Sequence, residues 1–327
     1  MKTRAIVIAE PFKVQLREVE LPAPQPHEVV VRTLFSGISV GTERHYITGV
    51  YADMGQDVAA NYPFVTGYQR SGVVESVGGA VDDLAVGDLV IMGRSRLADP
   101  RLKGGAGHVG IGVFDAKQVY RLPAGADPEA AALWVMAGVG LHGARMTAVR
   151  AGEVVAVIGL GMIGQMAAQA ARLRGARVIA SDRDARRVEI GRHSADEVFQ
   201  GTAEEFADHV LATHPAGVDV VADTGAKVEV WETCQRLARR EGRVNLQGYY
   251  PGSFRIDSYN AHVRRMQIFC PSGYDDPNEI AAAIPRFSIQ PLITHRFTAG
   301  EAESAYDLVI RAPKEIVGGI IDWRTEA

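Results

Sequence analysis

The chain has 327 residues, of which 47% are hydrophobic and 23% charged, room enough for two domains of ordinary size with a core each. A formal net charge of −4 leaves no basic footprint and argues against nucleic acid as a partner. No apolar run reaches the roughly 18 residues a membrane span needs, and two cysteines, Cys234 and Cys270, exclude a disulfide framework and fit a reducing, cytoplasmic setting.

In chain order, Met1–Ile8 carries a short apolar stretch that soon turns to Glu10 and Lys13. That predicts a first strand, not a signal peptide. The next hundred or so residues hold short β-rich runs broken by Gly and Pro, at 28–32, 72–77 and 88–92, as in a compact and mainly antiparallel domain. Residues 94–112, rich in glycine and charge, read as a loop excursion. From Asp127 to Arg150 the pattern turns helical, with Pro128 suited to a helix N-terminus.

The texture then changes. Residues 153–158 form a continuous apolar run typical of a buried parallel strand. An amphipathic helix follows, with Ile163, Met166, Ala167, Ala170 and Leu173 on one face and Gly175 closing it. Strand-like runs recur at 177–181, 218–222, 242–246 and 267–269, with helical stretches between. Alternation of this kind predicts a doubly wound parallel sheet. A helix over about 299–310 and a strand at 319–323 close the chain.

Gly159-Leu-Gly161-Met-Ile-Gly164 matches a dinucleotide fingerprint in the right context, directly after a buried strand and at the start of a helix. Gly159 permits the tight turn, Gly161 lets backbone approach a pyrophosphate, and Gly164 lets helix and strand pack closely. The phosphates would meet free N–H groups at the helix N-terminus, Met162 and Ile163 among them. Asp182 closes the next strand, where an acid accepts hydrogen bonds from the adenosine ribose and repels a 2′-phosphate. NAD is therefore expected in preference to NADP. Arg183 and Arg187 follow, one of them placed to cover the adenine or to welcome a phosphate.

Three further segments, Ser36–Glu43, Tyr62–Gln69 and Val86–Val90, together with the glycine fingerprint, give the chain a look that resembles the medium-chain dehydrogenase/reductase superfamily over essentially its whole length. The resemblance implies an α/β protein: a GroES-like, mainly-β catalytic domain from residues 1–136 and 274–327, and a Rossmann dinucleotide-binding domain from 137–273. It also implies cofactor contacts at Thr224, Gly225, Gln247, Gly248, Tyr249 and Ser272, with the nicotinamide ring near Gln247–Tyr249 and Pro271–Gly273. A homodimer or homotetramer paired through the strand at 267–269, and a small-molecule substrate, are further implications.

Zinc-dependent relatives take catalytic metal from a Cys, a His and a third Cys or Glu. Here Ser39 stands in the Cys place with Val40 as an extra residue, Tyr68 in the His place, and Val135 near the third. A hydroxyl, a phenol and an isopropyl group cannot make a zinc site, and residues 94–112 lack the cysteines of the structural zinc lobe. No metal is expected, His108 and Glu43 being the side chains most able to hold one. Without zinc, the substrate oxygen needs another proton donor. Tyr68 is the first choice, since a phenol near pKa ~10 can donate to a developing alkoxide where its surroundings lower that value. Thr42 and His45 match the segment where zinc-dependent relatives run a proton relay, and Glu43 either orients that segment or takes part.

Within the superfamily, Gly37-Ile-Ser-x-Gly-Thr-Glu43, Tyr62-Pro-x-Val-x-Gly-Tyr68 and Leu292–Phe297 are most similar to zinc-free relatives of bacteriochlorophyllide a dehydrogenase, which oxidise a hydroxyethyl group on a large ring. Three activities stay open at this point. One is NAD(H)-dependent interconversion of a secondary alcohol (sugar, polyol or hydroxyalkyl) and a ketone. Another is NAD(P)H-dependent reduction of a quinone or enoyl double bond. The last is nucleotide binding without catalysis. The polar set Thr42, Glu43, His45 and Tyr68 favours the first.

Overall fold

Glu28–Ile38 is the longest strand and the one the first half of the chain is built around. One edge pairs with Arg70–Val77. The other is shared, by Ile111–Asp115 over Glu28–Arg32 and by Gly318–Asp322 over Phe35–Ile38. Register shifts near Val30 and Thr33 bend the strand as bulges do, which lets one strand serve both neighbours. Leu89–Met92 and Val119–Arg121 extend the sheet on one side and Ile293–Thr298 on the other. A four-stranded sheet runs in the order Lys13–Glu20, Lys2–Glu10, Phe64–Val65, Lys103–Gly104. Val29, Val31, Val90, Met92 and Phe114 form a cluster within the larger sheet, whereas Ile6, Ile8, Ile38, Ile47, Tyr306, Ile321 and Trp323 form one that both sheets share.

The computed structural model describes residues 1–49, 62–248, 250, 253 and 255–326. The chain divides into two units, Met1–Trp134 with Ala281–Pro285 and Ile293–Ala327, and Val135–Ile280 with Arg286–Leu292. In the second unit a six-stranded sheet runs in the order Glu197–Gln200, Arg177–Asp182, Val154–Ile158, Val218–Asp223, Ala238–Leu246, Gln267–Phe269. Its pairings are parallel. The apolar run that predicts a buried strand becomes the central Val154–Ile158. The amphipathic pattern after it becomes the helix Met162–Leu173, closed by Gly175 at φ +84°. Phe206, Trp231 and Leu237, from the helices, share an apolar cluster with Val221 and Val244 of the sheet.

Two stretches carry more structure than composition alone suggests. The stretch 94–112, read as loop, contributes the short strand Lys103–Gly104, bridges Val109 to Ala5, and starts the strand Ile111–Asp115. Its glycines do the work. A Cβ on Gly105 would lie 2.1 Å from the Gly67 carbonyl oxygen, and one on Gly107 2.2 Å from the Tyr68 nitrogen, so composition read as flexibility is close backbone packing. Val40–Thr48, unremarkable as a helix by composition, is one, with Gly49 at φ +74° closing it in the usual left-handed C-terminal conformation. Among the described residues no helix is long and apolar enough to cross a membrane.

Candidate functional site

The glycine turn of the second unit has three glycines with three separate reasons. Gly159 adopts φ +94°, a backbone other residues avoid. A Cβ on Gly164 would stand 1.9 Å from the Gly159 carbonyl oxygen and 2.8 Å from Thr224 Oγ1, a steric impossibility. Gly161 differs: the nearest atom to its imagined Cβ is an Arg187 guanidinium nitrogen at 3.9 Å. The space in front of Gly161 is therefore open, and the exposed backbone there leads into the first turn at Met162 and Ile163, whose N–H groups have no partner within the helix. This is the cradle a pyrophosphate needs.

Asp182 sits at the end of the adjoining strand with a side chain 13% exposed. Its Oδ2 accepts the Leu160 N–H at 2.8 Å and its Oδ1 the Asp184 N–H at 3.0 Å. A carboxylate offers about four acceptor positions, so two remain for a ligand diol. Arg187 lies 3.7 Å from Asp182 Oδ2, beside both the acid and the open turn, whereas Arg183 is exposed. Thr224 donates to the Ile158 and Gly159 carbonyls at 3.1 and 3.0 Å, bracing the turn from below. The Gly225 N–H is held by Asp223 Oδ1 at 2.9 Å.

Beyond the next strand, Gln247 is turned inward. Its amide donates to the Val139 carbonyl and accepts from Asn245 Nδ2 at 2.9 Å, so any ligand contact there falls to backbone. Gly248 donates its N–H to the Asp223 carbonyl at 3.2 Å, and Ser272 is exposed. Tyr249 lies outside the described residues. Sequence reasoning passed over Asp223, fully buried and bonded to Gly225 and Tyr250. Burial pushes its carboxyl above the ordinary carboxylate value. The signal was an acid ending an otherwise apolar strand.

In the first unit, the helix Val40–Thr48 turns Glu43 and Ile47 inward, one turn apart. Thr42 and His45, three residues apart, share a neighbouring face and are half-buried. Burial, with Arg44 beside it, holds His45 below the ordinary imidazole value, so the ring is neutral near pH 7 and able to take a proton. Tyr68, also half-buried, follows Gly67 at φ +82°.

Glu43 is the centre of this region. Its carboxylate, 1% exposed, accepts the Ser39 N–H at 2.7 Å, the Thr66 hydroxyl at 2.7 Å, the Tyr306 hydroxyl, and His108 Nε2 at 3.1 Å. Burial pushes its pKa up, but His108, with the hydrogen bonds from His108, Tyr306 and Ser39, outweighs burial and holds it below the ordinary value. Thr66 stands two residues before Tyr68, so one carboxylate ties the Tyr68 segment to the helix of Thr42 and His45. Tyr306, Thr66 and the His108–Ser36 contact were not foreseen: they come from segments far apart in sequence. Ser39, Tyr68 and Val135, which the sequence reading set at the zinc places, carry a hydroxyl, a phenol and an isopropyl group, a set that does not fit that metal. Among the described residues no three of His, Cys, Asp and Glu gather as a metal-binding group.

Residues 25–124 match the alcohol dehydrogenase GroES-like domain, and residues 163–288 match the zinc-binding dehydrogenase domain. Together these span more than half of the chain. Human sorbitol dehydrogenase is 27% identical over 331 residues, 93% of this chain and 91% of its own. A protein from Sinorhizobium meliloti 1021 with bound NADP superposes with a TM-score of 0.83 at 24% identity, over 98% of this chain and 99% of that one. A short chain alcohol dehydrogenase from Escherichia coli CFT073, in complex with NADH, superposes with a TM-score of 0.84 at 20% identity, over the same shares. The α/β fold, with its GroES-like and Rossmann parts, agrees with the one predicted.

Proposed function

The chain belongs to the alcohol dehydrogenase-like medium-chain dehydrogenase/reductase superfamily, a family of oxidoreductases, and we propose that it interconverts a secondary alcohol and a ketone with NAD(H) and without zinc. The substrate class is a sugar, a polyol or a hydroxyalkyl group. The sorbitol dehydrogenase relative supports the polyol member, and the motif likeness to bacteriochlorophyllide a dehydrogenase relatives supports the hydroxyalkyl one.

One observation carries the reading. A phenol, a hydroxyl and a neutral imidazole occupy the catalytic segments, and a non-ligating set occupies the zinc places. Gly161, Met162 and Ile163 would hold the pyrophosphate of NAD, with Arg187 beside it. Asp182 would take the adenosine ribose, and the backbone at Thr224, Gly225, Gln247, Gly248 and Ser272 would line the rest, with Arg183 at the adenine edge. Bound NAD supplies the hydride acceptor. On oxidation the Tyr68 hydroxyl gives its proton to Thr42 as it takes the one from the substrate hydroxyl, and on reduction the transfers run in reverse. Thr42 and His45 pass that proton to solvent, and Glu43 holds their helix in place. Asp182 supports NAD over NADP because an acid there repels a 2′-phosphate. Gln267–Phe269, paired on one side only among the described residues, supports a homodimer or homotetramer formed by joining that open edge to a second copy.

The test is a panel of sugars, polyols and hydroxyalkyl compounds assayed with NAD and with NADP, before and after treatment with a strong chelator. Expected are turnover of at least one class with NAD and full retention of rate after chelation. One equivalent of tightly held zinc by elemental analysis, or activity lost with the chelator and restored by zinc, would sink the zinc-independent reading.

A further inference from the structure

Among the buried groups of the first unit, one set has a direction built into it. Trp323 Nε1–H can only donate, and it donates to Ser36 Oγ at 2.8 Å. The Ser36 hydroxyl proton is then free to go to His108 Nδ1, 2.7 Å away. That leaves the His108 proton on Nε2, which faces the two Glu43 oxygens at 3.3 and 3.1 Å. An ionised carboxylate can only accept. Every remaining neighbour obliges, since the Ser39 N–H, the Thr66 hydroxyl and the Tyr306 hydroxyl all donate to it.

We infer that Ser36, His108 and Tyr306 are positioning residues: with the His108 Nε2–H held on its carboxylate, they lock Glu43 and so set where Thr42, His45 and Tyr68 stand. This rests on the proposed roles of those three residues. The geometry gives the lock its reach. Glu43 lies one residue from Thr42 and two from His45 on the same helix. A Cβ on Gly67 would meet the His108 ring at 2.5 Å, so the imidazole lies flush against the backbone that leads into Tyr68. Tyr306 and Trp323 bring in the last helix and the end of the last strand. With four donors on one carboxylate, Glu43 has no acceptor position left for a substrate proton. Its role is to hold.

Two measurements on the intact protein test this. The first is the ¹⁵N spectrum of labelled histidine, with His108 assigned by the His108→Gln variant. The expected signal is a proton on Nε2 at pH 7; a ring protonated only on Nδ1 overturns the inference. The second is hydrogen exchange of the amides of residues 39–45 in Tyr306→Phe, which keeps the ring in the core and removes one donor. Exchange there should quicken roughly tenfold to a hundredfold, the worth of one hydrogen bond to a charged group, while the second unit's sheet and its NADH affinity stay unchanged. His108→Gln, which keeps an N–H near the Nε2 place, should recover most of the protection that His108→Leu loses. Unchanged exchange in Tyr306→Phe, or equal loss in Gln and Leu, would overturn the lock. Turnover separates the two readings: silent Thr42→Ala, His45→Ala and Tyr68→Phe variants would remove the proposed chemistry, whereas the exchange result would stand.

Discussion

The glycine turn of the second unit and the Glu43 cluster of the first solve opposite problems. The turn presents backbone to a ligand, and its side chains matter chiefly by being absent. Gly164 is required by a 1.9 Å clash, and Gly161 by the space it leaves. The cluster presents almost nothing outward. It gathers Ser36, Glu43, Thr66, His108 and Tyr306, all at most 1% exposed, to fix the helix that carries Thr42 and His45. One region recognises through what it omits, the other organises through what it buries.

The largest effects should separate the two roles within the turn itself. Gly164→Val cannot be accommodated, because backbone atoms of the same turn occupy the place, so the second unit should fail to fold or lose NADH binding outright. Gly161→Ala adds a methyl group to open space, so the fold should survive with its melting temperature nearly unchanged. NADH should bind roughly tenfold more weakly, since the methyl stands where the pyrophosphate must come. Equal damage from both substitutions, read by thermal melting and by NADH fluorescence titration, would break the distinction between packing glycine and ligand glycine.

Next in size is Tyr68→Phe. On the proposed chemistry it removes the proton donor and lowers kcat by roughly 10²–10⁴, the usual range for general acid–base catalysis. NADH affinity should hold, because no residue of the glycine turn is touched. His45→Ala should cost less, since water can replace an outer relay member. The reverse order, Tyr68→Phe nearly silent and His45→Ala severe, would transfer the donor's role to the Thr42–His45 helix.

These contrasts also explain what could be read from sequence. The nucleotide turn was legible because its function is local: a strand, three glycines at fixed spacing and an acid at the next strand's end all lie between Val154 and Asp182. The alternation of buried strands and amphipathic helices is likewise a local pattern, and the parallel sheet follows it closely. The Glu43 cluster is assembled from positions 36, 43, 66, 108 and 306, and no periodicity connects them. Thr42, Glu43 and His45 were noticed by resemblance, while Tyr306 and the partners of His108 required the fold. The stretch 94–112 is irregular over most of its length, as read, but its short strand and bridge were missed because glycine has two meanings. Composition alone cannot tell a mobile loop from backbone pressed against backbone, as at Gly105 and Gly107.

A smaller effect belongs to Asp182. Asp182→Ala should narrow the preference between NADH and NADPH by roughly tenfold, through weaker NADH binding and less repulsion of the 2′-phosphate. Direct titration of both nucleotides reads this. Wild-type protein that binds NADPH more tightly than NADH would overturn the ribose assignment and point to Arg183 or Arg187 as a phosphate clamp. Because the Leu160 and Asp184 amides also use this carboxylate, Asp182→Asn offers a milder control that keeps the turn braced.

The smallest effect is one of sign, and it compares two buried acids. Glu43 has a folded pKa below its ordinary value, and Asp223 one above. For Glu43 the unfolded chain binds more protons between the folded pKa and about 4.3, so its contribution is complete above that value and fades as pH falls through the folded pKa. For Asp223 the folded chain binds more protons from about 3.9 up to its raised pKa. Its penalty is therefore present above that raised value and is relieved as pH falls through it. Acidification from neutral pH toward about 4.3 should thus leave the Glu43 contribution intact while easing the strain at Asp223. Asp223→Asn mimics the protonated state and should remove that easing. Amide exchange, corrected for its intrinsic pH dependence, can follow each unit separately, and the expected change at the strand Val218–Asp223 is less than about tenfold. A second unit that loosens over this range as much in Asp223→Asn as in wild type would show that Asp223 does not set the slope. Loosening of residues 39–45 already at pH 6 would mean that Glu43 gains its proton far above the value its four donors imply.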